Sequence, residues 1–206
     1  MKRNWRLVTA GLAVVCFFAA AVCARAGLEE GKAAYRAGKY AEALAEFLPL
    51  AEGGDVTAQN QVAAMYYIGQ GTPQDFIKAA QWFQKAAEAG DADAQYCLGK
   101  LSLSGQGVPQ DFESAAKLLT EAALAGKGGA QQQLAMLYLS GQGVPKNPVK
   151  AYFWALLAVA SPDLPAENKA SATTLRDQIE ATLAPRQIKS IQTMAHDWAP
   201  RPKKAE

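Results

Sequence analysis

Ser114 and Lys117 are the two residues whose types and spacing come nearest to a catalytic pair. Three apart on a helix, a lysine amine can face a serine hydroxyl and take its proton, which makes the serine a nucleophile. This Ser-x-x-Lys pattern carries the alternative reading of the chain, a cell-wall-active or β-lactam-reactive serine enzyme using Ser114 and Lys117. The companion Ser-Asp-Asn and Lys-Thr-Gly elements of that chemistry are missing from the sequence. Other chemistry is scarcer. His196 is the single histidine and Cys97 the single cysteine beyond residue 23, so a site built from His and Cys lacks ligands. The tripeptides Gly69-Gln70-Gly71, Gly105-Gln106-Gly107 and Gly141-Gln142-Gly143 invite a phosphate, yet no G-x-x-x-x-G-K-[ST] occurs here. A loop that recurs three times serves architecture better than one reaction. No catalysis, metal or cofactor is therefore expected.

The elements that position these residues form an internal repeat with a period of 36 residues: 55–90, 91–126 and 127–162. Ala58, Ala94 and Ala130 stand in one column, Gln59, Gln95 and Gln131 in the next. Further along come the paired glycines, then Pro73, Pro109 and Pro145, then Asp75, Asp111 and Asn147, and Ala79, Ala115 and Ala151. In the first row a helix is predicted from about Thr57 to Ile68, with Ala58, Val62, Met65 and Tyr66 inward. Glycines at positive φ end it, and the proline keeps it from resuming. Asp75, Asp111 and Asn147 are good N-caps for a second helix that turns Phe76, Ala79, Ala80, Phe83, Ala86 and Ala87 inward. One helix pair cannot bury both apolar faces, so neighbouring rows must stack. The aromatic column Trp82, Leu118 and Trp154 reads as packing between rows. Ser114 shares a column with Lys78 and Lys150 that reads as solvent-facing.

The row AQYCLGKLSLSGQGVPQDFESAAKLLTEAALAG resembles a Sel1-like repeat, a relative of the tetratricopeptide repeat with a longer turn. The resemblance implies an all-α, right-handed superhelical α-solenoid of helix-turn-helix repeats with helical caps. Upstream, AAYRAGKYAEALAEFLPLAEGG resembles a tetratricopeptide unit, so residues 27–54 are expected to form an N-terminal helix pair turning at Gly38-Lys39-Tyr40. Residues 163–198 are expected to supply two capping helices, about Ala166 to Leu183 with Leu175, Ile179 and Leu183 on the inward face, and about Pro185 to Trp198 with Ile188, Ile191, Met194 and Trp198 inward.

By analogy with tetratricopeptide positions, the resemblance also implies a concave face made by successive first helices. Its columns are Asn60, Tyr96 and Gln132; Gln61, Cys97 and Gln133; Ala64, Lys100 and Met136; and Tyr67, Leu103 and Leu139. Asn60, Gln61, Tyr67, Tyr96, Lys100, Gln132, Gln133 and Met136 are the binding residues this reading names. Amides that pair with backbone and aromatics that supply area suit a peptide or a helix. The implied function is a protein-binding scaffold or adaptor, with self-association as a further reading.

The location is read from the N-terminus. Lys2, Arg3 and Arg6 precede an apolar run from Leu7 to Val22, shorter than the roughly 20 residues a spanning helix needs. Ala24-Arg25-Ala26 then offers a cleavage site, so residues 1–26 are expected to be a signal peptide. Cys16 and Cys23 both follow valine, which disfavours a lipid anchor. The formal charge of +2 loses four positive residues, Lys2, Arg3, Arg6 and Arg25, and no acid, and becomes −2. Binding to nucleic acid then has no electrostatic driver. The expected product is periplasmic or secreted, lacks stable membrane insertion and meets its partner in the cell envelope, with residues 199–206 as a flexible tail. Cys97 alone leaves no internal disulfide.

Overall fold

The structure, a computed structural model, describes residues 26–198. The expected signal peptide, except for Ala26, and the expected tail, residues 199–206, lie outside the described residues. All regular structure among the described residues is helical. The chain divides into two compact units, one ending at Asp75 and one beginning at Phe76.

The first unit contains α1 (residues 26–36), α2 (Tyr40–Glu52) and α3 (Val56–Ile68). Gly38, at φ +74°, makes the turn between α1 and α2. Ala43, Leu44 and Phe47 of α2 are buried with Ala58, Val62 and Met65 of α3. Gly31 fits beneath the Phe47 ring, where a Cβ would come within 2.4 Å.

Among its described residues the second unit contains seven helices: α4 (Phe76–Glu88), α5 (Ala92–Ser104), α6 (Phe112–Leu124), α7 (Gly128–Ser140), α8 (Pro148–Ala160), α9 (Ala166–Glu180) and α10 (Pro185–His196). Its core is built from the small-residue columns. Ala79, Ala115 and Ala151 are all fully buried, and so are Ala94 and Ala130. Leu119, Leu134 and Tyr152 fill the space between them.

Each first helix stops as its glycines require. Gly69, Gly105 and Gly141 have φ of +85°, +70° and +80°, and each donates its N–H four residues back, to Met65, Leu101 and Leu137. The second glycine of each loop has a separate purpose. A Cβ on Gly107 would stand 2.1 Å from the Phe76 carbonyl oxygen, one on Gly143 2.0 Å from that of Phe112, and one on Gly71 2.5 Å from that of Tyr40. Each loop therefore rests directly on the first turn of the preceding second helix.

Caps hold the helix starts. Asp111 accepts from the N–H groups of Glu113 and Ser114, and Asn147 from that of Lys150. First helices are capped by Asp55 and Asp91. At the same place before α7 stands Lys127, which cannot accept, and the Gly128 N–H instead donates to Asp163 at 2.8 Å.

The aromatic column divides. Trp154 is buried, whereas Trp82 and Leu118 are half-buried, and the Lys85 amine sits 3.9 Å from the Trp82 ring centroid. Helix α8 is apolar on nearly every side, and α9 and α10 cover it. Met194, expected inward, is 50% exposed, because the packed face of α10 runs through Ile188, Ile191 and Ala195 and leaves Met194 at its edge.

Candidate functional site

The residues expected on the first-helix face fall in both units. Asn60, Gln61 and Tyr67 are half-buried on α3 of the first unit. Tyr96 and Lys100 lie on α5, and Gln132, Gln133 and Met136 on α7, of the second.

In the second unit the face is firmer than its sequence suggested. The Tyr96 ring lies over Gly129, where a Cβ would meet it at 2.8 Å, and it packs against the buried cluster that contains Ala130 and Leu134. Tyr96 is thus part of the inter-row packing as well as part of the face. The Lys100 amine stands 5.4 Å from the Tyr96 ring centroid, within cation–π range, and is exposed. Met136 is 43% exposed, and Gln133 is half-buried. The Gln132 amide donates to the Ser171 hydroxyl at 2.9 Å, which places α9 alongside α7 at the last row. Cys97 is half-buried on α5. Burial pushes its thiol up to about 11, so it stays protonated and unreactive at neutral pH.

The Ser114 and Lys117 pair does not assemble as a nucleophile and base. The Ser114 hydroxyl donates to Asp111 at 2.6 Å, and the Lys117 amine is bound to Glu113 at 2.8 Å. The hydrogen bond from Glu113 raises the lysine pKa, which keeps it a cation. The hydrogen bonds from Ser114 lower that of Asp111, which makes it a poorer base. Both residues behave as part of a helix cap and a surface ion pair. Ser114, Lys78 and Lys150 are all exposed.

Beside them a pocket of about 470 Å³ opens on the outer side of α6, away from the first-helix face, with Ala116, Leu118, Thr120 and Val144 among its lining residues. Among the described residues no group of three His, Cys, Asp or Glu side chains could hold a metal ion, and no helix is long and apolar enough to cross a membrane.

Two features with structural work went unassigned in the sequence although their columns were visible. Gln59, Gln95 and Gln131 each donate a side-chain amide eight residues back, to the carbonyls of Ala51, Ala87 and Ala123. They add a second bond to carbonyls at the ends of α2, α4 and α6 that already accept the N–H groups of Gly54, Gly90 and Gly126. Asp163 was the second. Its signal was the acid column Asp55 and Asp91, broken at Lys127 and resumed at Asp163, which takes the missing cap's place and also accepts from the Ser161 hydroxyl.

The Sel1 repeat model matches residues 56–91, 92–127 and 129–163, just over half of the chain. A protective antigen present in uropathogenic Escherichia coli strains, displaying an SLR fold, is similar in structure with a TM-score of 0.65 and 32% identity, over 75% of this chain. The chain spans only 32% of that protein's length. A Sel1 repeat protein from Oxalobacter formigenes is similar with a TM-score of 0.66 and 26% identity, over 82% of this chain and 69% of that one. No curated protein matches the chain.

Proposed function

Because the chain belongs to the Sel1 repeat family, whose helical repeats generally serve as protein–protein interaction scaffolds, we propose that it is an exported adaptor that holds a protein or peptide of the cell envelope on its first-helix face. The observation that supports this reading is the side-chain set on that face in the second unit. Lys100 and Met136 stand exposed beside the half-buried Tyr96 ring, while the neighbouring columns Leu98, Leu101, Leu134 and Leu137 are buried. A cation, a thioether and an aromatic ring on a packed base offer area without the cost of ordering a loop. Export is supported by the charged start, the short apolar run and Ala24-Arg25-Ala26.

The experiment is capture of the partner from an envelope fraction with the exported chain, followed by binding isotherms for variants. Lys100→Glu and Met136→Ala should each weaken binding by about 1 to 2 kcal/mol. Lys117→Ala, on the other side, should leave binding unchanged. The reverse pattern would refute the first-helix reading. Intact mass of the exported protein tests the location, with Gly27 as the expected first residue. Ser114 and Lys117 can be tested apart from this with a labelled penicillin, and acylation at Ser114 would make the protein an enzyme.

A further inference from the structure

We propose that the pocket on α6 is a second docking seat, for a basic amphipathic helix of a partner protein patterned like α10. This seat lies on the second-helix side and does not depend on the first-helix reading. Its floor includes Ala116, Leu118 and Thr120, and Glu113 and Glu121 stand at its rim. One period of 36 residues later the same places are Tyr152, Trp154, Leu156, Val149 and Leu157. There the seat is full. Trp198 meets Trp154 edge to face at 6.4 Å, Gln192 donates to the Tyr152 hydroxyl, and Ile188 and Ile191 of α10 join the cluster that contains Leu157. The chain thus presents one seat twice, filled by a helix in one row and open in the row before.

What fills the open copy follows from the differences between the two. Leu118 and Ala116 keep the floor apolar, so a helix with apolar residues three apart, like Ile188 and Ile191, still suits it. The rim has turned acidic, because Val149 and Leu157 are replaced by Glu113 and Glu121. Lys117 neutralises Glu113, and exposed Glu121 has no ion pair among the described residues. A cationic side chain flanking the apolar pair completes it. Helix α10 itself carries Arg186 and Lys189 beside Ile188.

The test uses a fluorescein-labelled synthetic peptide with the sequence of residues 185–198, titrated into the full exported chain and followed by anisotropy. Saturable binding is expected, weakened by salt. Glu121→Lys should reduce the affinity about tenfold, while Lys100→Glu on the first-helix face leaves it within about twofold. Glu121 is exposed, so the variant should melt like the wild type. A peptide in which Arg186 and Lys189 are replaced by glutamate should lose the interaction. No saturable binding, or equal affinity for wild type and Glu121→Lys, would overturn the proposal, the second because it points to displacement of the resident α10 from α8. Light scattering that finds a dimer, converted to monomer by Glu121→Lys, would also overturn it by giving the seat to a second copy of the chain.

Discussion

The second and third rows, α5–α6 and α7–α8, have the same helices of 13 residues, the same glycine loops and the same buried alanines. They differ at positions that do not set the backbone. The second row carries its own acidic cap, Asp91, and a charged outer surface with Glu113, Lys117 and Glu121. In the third row Lys127 stands where the acid should be, and the outer surface is Val149, Phe153 and Leu157, which belong to the same apolar cluster as Ile188 and Ile191 of α10. Fixed columns thus set the path of the chain, and variable columns decide which surfaces are left open. The last complete row gives up its independence to the cap that follows it.

The largest test of this contrast is Trp154→Ala against Leu118→Ala. Loss of the buried indole should cost about 3 to 5 kcal/mol, and loss of the half-buried leucine about 1 to 2 kcal/mol, read from denaturant melts of both variants. Equal losses would mean that α10 covers less than its contacts suggest. The fixed columns should respond alike instead. Gly107→Val and Gly143→Val each place a branched side chain at positive φ and onto a backbone carbonyl, and each should cost about 2 to 4 kcal/mol. A large difference between the two would break the equivalence of the rows. A smaller effect concerns the shared cap. Asp163→Ala should cost about 1 kcal/mol, and Lys127→Asp in that background should restore most of it by returning the acid to its own row. Failure of the second change to compensate would show that Asp163 acts through Ser161 rather than through α7.

The effect that is smallest at neutral pH belongs to Cys97, which the third row replaces with Gln133. Its folded pKa of about 11 lies above the ordinary 9.0, so the folded chain keeps the proton that the unfolded chain loses first. Stability should fall as pH rises between those values and be unaffected by this thiol below them. Cys97→Ser should remove that slope, and alkylation of the wild-type thiol at pH 8 should be slow. Fast alkylation at that pH would show the thiol to be open to solvent.

Much of the architecture was legible because the period of the repeat is free of gaps. Gly105, Asp111 and the buried alanines could be assigned from type and position, since positive φ, capping and close approach each demand few residue types. Tyr96 was legible as a face residue but not as a packing residue. Its partner is the absence of a side chain at Gly129, which leaves no pattern of its own along the helix. Gln131 and Asp163 were visible as columns, yet their acceptor and donor lie on other helices, and sequence spacing does not reveal such pairings. Met194 went astray because helical spacing defines an arc, whereas the neighbour α8 selects only part of it.

The resting of Gly71, Gly107 and Gly143 on the backbones of Tyr40, Phe76 and Phe112 bears on how chains of this kind can change over time. Surface loops ordinarily absorb insertions and deletions at little cost. Here each such loop is in van der Waals register with a helix start that lies one fixed stretch of chain earlier, so lengthening any segment between the two partners forces the loop off its support. Length variation is therefore kept out of the stretches 40–71, 76–107 and 112–143, and is left to the short links between them, to the gain or loss of whole periods and to the two ends of the chain.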